Sequence, residues 1–194
     1  MHPQQPNDPD LSFSRALGFA LLLARALAVS VEVFLHRAGT FGERYLGLQA
    51  ALAFVLVLIA PVFLPMGDPG PLYLFCALYF MRCIVVRAAT LKRRLSGAPL
   101  LHSYYNGTPA LLPTRSRVPE EKFKAAVEPL LVGVTGLALS EWNEPLGTYL
   151  MLAGLSLLVN ACLSLRQDHE RALDVNDAFL DQRRMADRWR GMRR

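Results

Sequence analysis

Apolar residues in this chain are gathered into blocks rather than dispersed. Tyr45 to Leu64, Leu72 to Leu91, Val127 to Trp142 and Leu146 to Leu165 carry few charges. Each approaches the ~20 residues with which a helix crosses a hydrocarbon core. Pro65 to Pro71 separates the first two blocks and Asn143-Glu144-Pro145 the last two. Proline and glycine end helices and force turns, so the pattern predicts two helical hairpins joined by the loop Lys92 to Ala126. Pro61 falls in the last turn of its block, where a missing backbone bond costs little.

Ahead of these blocks, Leu11 to His36 has helical periodicity and few breakers before Gly39. At 100° per residue, Ser14, Gly18, Arg25, Glu32 and His36 gather on one side of the wheel. Phe13, Leu17, Ala20, Ala24, Leu27, Val31, Phe34 and Leu35 gather on the other. Such a helix either crosses the membrane with its polar stripe turned to partner helices or lies in the interface as an anchor. The acidic, Arg-free arm Met1 to Asp10 favours crossing. It also argues against a cleaved signal peptide, as does Arg25 within the apolar run. The expected class is therefore all-α: a polytopic helical membrane protein with five transmembrane helices, or four plus an N-terminal interfacial helix. Residues 1–10 form an arm, 11–165 the bundle with its loop 92–126, and 166–194 a cytoplasmic charged amphipathic helix.

Composition agrees with membrane residence, since 53% of the 194 residues are apolar and the mean hydropathy is +0.25. The net charge of +5 and pI near 9.4 raise the question of nucleic acid. Position answers it. If Pro65 to Pro71 faces outward, the outer turns hold no Lys or Arg. The other side then holds Arg37, Arg44, Lys92, Arg93, Arg94, Arg115, Arg117, Lys122, Lys124 and eight Arg after Leu165, which is 17 of the 21 basic residues. That asymmetry is read as cytoplasmic, in an inner or plasma membrane. Anionic lipid headgroups account for the charge without nucleic acid.

In the tail, Asp168, Glu170, Asp174, Asp177 and Asp181 come early, while Arg183, Arg184, Arg188, Arg190, Arg193 and Arg194 come late. This order suits the helix dipole. Ala172, Val175, Phe179, Ala186 and Trp189 recur at three and four spacing, a narrow seam suited to contact with another protein or a second copy.

Ionisable residues within apolar spans cost several kcal/mol each unless paired or hydrated. Counted from the cytoplasmic ends, Glu32, Arg87, Asn160 and Glu128 share a depth and are expected to form a polar layer. That layer would be either an Arg–Glu lock between helices or the path of a small channel or transporter. Arg25 and Arg82 lie deeper, with no carboxylate at their level, and are expected to need an acidic partner from outside the chain.

Catalytic signatures are weak. Cys76, Cys83 and Cys162 fall in apolar spans without CxxC spacing and read as small buried hydrophobes. His102, Ser103, Tyr104 and Tyr105 are adjacent in the loop, which suits a turn at headgroup level better than a lipid-cleaving relay. Asn106-Gly107-Thr108-Pro109 is strong turn chemistry. Asp174, Asn176, Asp177 and Asp181 lack the central Gly and closing Glu of a calcium loop. None of the four His lies deep in a span, as a haem would require, and no nucleotide-binding motif occurs. The expectation is a noncatalytic membrane subunit without cofactor or metal. It would dock other membrane proteins, or itself, through intramembrane Arg, the basic loop and the tail.

Overall fold

The structure, a computed structural model of the chain, describes residues 9–64, 67–97, 103, 105–112 and 119–192. The helices are α1 Pro9–Leu35, α2 Leu48–Phe63, α3 Gly70–Leu95, α4 Glu120–Lys122, α5 Glu128–Ser140 and α6 Glu144–Met192. A short 3-10 turn occupies Ala38–Thr40, and a π turn at Phe123–Val127 joins α4 to α5. Among the described residues there is no strand, only an isolated bridge between His36 and Pro109. Residues 1–160 form one compact unit and 161–194 a second.

The chain is a helical membrane protein. Four helices, Phe13–Leu35, Gly70–Leu95, Glu120–Ser140 and Glu144–Arg190, are long and apolar enough to cross a bilayer, and the apolar α2 is shorter. The outer surfaces of these helices leave Leu58, Val62, Phe63, Leu74, Leu78, Phe80, Ile84, Leu130, Val134 and Leu137 exposed. In water so much contiguous apolar surface would drive association. In lipid it needs no cover.

Both predicted hairpins form. Asn143 caps α6, its Oδ1 accepting from the Leu146 N–H at 3.0 Å, which satisfies one of the amides that a helix start leaves open. The same side chain donates to the Asp68 carbonyl at 2.9 Å. The two hairpin turns are thereby tied together at one end of the bundle.

Small residues let α5 and α6 approach closely. A Cβ on Gly136 would meet the backbone of Met151 at 2.7 Å and of Gly147 at 2.9 Å, and one on Gly147 would collide with Ser140. Gly154 packs against Gly133 and Pro129. Asn160 and Glu128 therefore fall near one another in depth, at the hairpin's open end.

The Ala24 carbonyl accepts from Asn160 at 3.1 Å, the Ser30 hydroxyl accepts from Tyr149 at 2.7 Å, and His36 contacts Glu128 at 2.9 Å. The stretch 24–36 is thus packed against both α5 and α6. Each face of α1 serves its own cluster. Leu27, Ala28, Val31 and Leu35 pack with Val57, Leu72, Cys76, Val132, Tyr149 and Ala153, whereas Ala26, Val29 and Val33 pack with Phe41, Tyr45, Ala53, Tyr79 and Val86.

Of the cysteines, Cys76 is buried, Cys83 half-buried and Cys162 exposed. The last departs from the expected burial because it lies on an outward face of α6.

Adding a methyl group at Gly136 or Gly147 should destabilise the hairpin by roughly 1–3 kcal/mol through overpacking. Gly133→Ala has open space around its Cβ and should leave stability equal or slightly higher. Thermal unfolding in detergent separates the two cases.

Candidate functional site

The loop between the hairpins does not float over the bundle. Ser103 and residues 105–110 run antiparallel to 35–44. Ala110 N–H donates to Leu35 at 2.8 Å, Arg37 to Thr108 at 3.0 Å, Gly42 to Tyr105 at 2.8 Å and Arg44 to Ser103 at 2.9 Å. Asn106-Gly107, expected as a turn, lies at the centre of this extended strip, where it packs on 36–40. Gly107 has φ +91°, and a Cβ there would meet Thr40 Oγ1 at 3.1 Å and His36 Cβ at 3.2 Å. Glycine is required on both counts.

Beneath the strip lies a fully buried His36. Its Nδ1 is 2.6 Å from the Asn106 carbonyl, and its Nε2 is 2.9 and 3.1 Å from the two Glu128 oxygens. A carbonyl only accepts, so Nδ1 carries a proton. Glu128 is 3% exposed, so neither group has water as an alternative partner.

One turn before Glu128, Lys124 Nζ donates to Asn106 Oδ1 at 2.8 Å and to the Gly107 carbonyl at 2.6 Å, and it pairs with Glu120 at 2.6 Å. It also lies 4.6 Å from the centre of the Tyr105 ring, within cation–π range. Tyr105 donates its hydroxyl to Glu120. Burial, aided by that carboxylate, pushes the Tyr105 hydroxyl above its ordinary pKa and so keeps it a donor. The local sequence explains the π turn here. Pro129 has no N–H and would clash with the carbonyl four residues back, and widening the preceding turn relieves this.

The structure does not bring the members of the expected polar layer into contact with one another; each contacts other groups. Buried Glu32 accepts from the Tyr45 hydroxyl and pairs with Arg25 at 3.4 Å. Arg87 donates to the Glu43 carbonyl at 3.0 Å, and Asn160 donates to the carbonyls of Ala24 and Ser156. Glu128 is taken by His36. The physical reason is that α1 turns Glu32 toward the Tyr45 hydroxyl and away from α5.

Arg25 and Arg82, expected to lack partners, have them within the chain. Arg25 reaches along its own helix to Glu32, contacts Gln49 at 3.4 Å and lies 5.5 Å from the Tyr45 ring. Arg82 donates to the carbonyls of Val33 at 2.8 Å and His36 at 3.0 Å. Those carbonyls are left open where α1 ends. Depth counted along separate spans could not show that a helix end is brought to Arg82.

Sequence reasoning missed His36 as a centre, together with Tyr45, Lys124 and Thr40. The only available signal was that His36 shares the polar stripe of α1 with Arg25 and Glu32. His102 and Tyr104 lie outside the described residues, as do Arg115, Arg117, Arg193 and Arg194.

Every buried side-chain nitrogen or oxygen among the described residues has a hydrogen-bond partner. No group of three potential metal ligands occurs among them. One shallow groove, lined by Phe54, Leu58, Tyr73, Cys76 and Phe80, is apolar and does not include His36 or Glu128. The site is a closed lock that ties loop, α1 and α5 together. Comparison with protein-family models, curated proteins and solved structures finds no match to this chain.

In the second unit, Val175, Phe179 and Trp189 are exposed.

Removing one partner of a buried pair strands the other, at a cost of roughly 3–5 kcal/mol. His36→Ala and Glu128→Ala should each show that loss in detergent unfolding. The double variant should lose much less than the sum, because the penalty is shared. Arg87→Gln, on an exposed bond, should change little.

Proposed function

We propose that this chain is a noncatalytic integral membrane subunit or scaffold, with loop and tail in the cytoplasm, that docks another membrane protein or a second copy through its tail helix. The asymmetry of Lys and Arg supports the orientation. The exposed seam on the tail carries the reading.

Beyond the last apolar block, α6 continues to Met192. Its ion pairs there are all local: Arg166–Glu170, Arg171–Asp168, Arg184–Asp181 and Arg190–Asp187. Pairs of this kind are worth a few tenths of a kcal/mol each, and helices without tertiary packing are marginal. A helix supported so weakly gains most from covering its apolar seam. Val175 is 71% and Phe179 54% exposed. The satisfied polar groups at His36 and Glu32 support a structural rather than catalytic use of the bundle, and the internal pairing of Arg25 and Arg82 moves the docking role from the membrane to the tail.

In mild detergent the wild type should migrate above monomer mass or retain a partner through purification. Val175→Glu with Phe179→Glu should abolish this while circular dichroism keeps the bundle's helix content. A wild type that is monomeric and free of any partner removes the reading.

A further inference from the structure

The distal end of the tail differs from the part just described. Residues 183–194 hold Arg183, Arg184, Arg188, Arg190, Arg193 and Arg194 against the single acid Asp187. The preceding stretch from Asp168 to Asp181 holds five acids and only Arg171. Charge is thus sorted along the helix.

It is also sorted around it. At 100° per residue, Met185, Ala186, Trp189 and Met192 share one face. Arg183 and Arg190 flank that face on one side, Arg184 and Arg188 on the other. Met185, Trp189 and Met192 are 57%, 69% and 71% exposed. The flanking ion pairs, Arg184 to Asp181 at 3.5 Å and Arg190 to Asp187 at 3.7 Å, are exposed and long, so they leave the positive field largely uncancelled.

We propose that residues 183–192 form an anionic-lipid-binding helix, which seats Met185, Trp189 and Met192 at the headgroup boundary with arginines on both flanks. An apolar face bordered on both sides by Arg is the pattern of a helix that lies in the interface. Trp is the side chain best suited to that level, with an apolar body and one N–H donor. Clusters of this many basic residues on an amphipathic helix bind acidic headgroups. The acidic stretch before it is repelled by the same surface, which confines the contact to the distal end and leaves Val175 and Phe179 to a protein partner. The proposal is independent of which partner, if any, the proximal seam docks.

The test uses the full chain with Trp142→Phe, so that Trp189 alone reports, reconstituted into vesicles of phosphatidylcholine or of phosphatidylcholine with phosphatidylglycerol. Trp189 emission should shift to the blue and lose quenching by acrylamide in the anionic vesicles only. Both effects should be reversed by high salt and lost in a variant with Arg183, Arg184, Arg188 and Arg190 changed to Gln. Water-like emission in both vesicle types overturns the proposal. So does a blue shift in both that grows with protein density, which would assign Trp189 to tail–tail contact. Helix content by circular dichroism guards against an unfolded variant.

Discussion

An imidazole and a carboxylate buried away from water must satisfy each other, and much of this fold is arranged so that they can. His36 ends α1, Glu128 begins α5, and the ring's second nitrogen is held by a loop residue, Asn106. Three segments distant in sequence are thereby fixed at one point. Inside a low-dielectric bundle the alternative is an unpaired polar group, which is far more costly than the pair is beneficial. The loop's glycine, the neighbouring Lys124 and the widened turn before Pro129 all serve the same closure.

The same constraint acts on α1. Its polar stripe, with Arg25, Glu32 and His36, needs partners along its whole length. The fold holds that stripe against Tyr45, Gln49 and the loop while the apolar face of α1 closes the core over Tyr149 and Leu72. Arg82 then caps the end of α1, so one side chain satisfies two carbonyls and its own charge. The arginines serve as internal ties.

In the tail the physics is different. The second unit has no core, and its charges pair with neighbours one turn away. What organises it is the distribution of charge, acid first and then base, around an exposed seam. A helix built in this way is completed by its surroundings.

The spans, both hairpin turns and the long tail helix could be read from the sequence, because apolar blocks, Pro and Gly act locally and each segment's hydrogen bonds close within itself. The amphipathic character of α1 was equally legible. Only the tertiary structure paired His36 with Glu128, Arg25 with Glu32 and Arg82 with the end of α1. Periodicity gives a residue's angle on its own helix and its depth along it, but not the direction in which one helix crosses another. A polar side chain within a membrane takes whichever partner that crossing brings within hydrogen-bond reach.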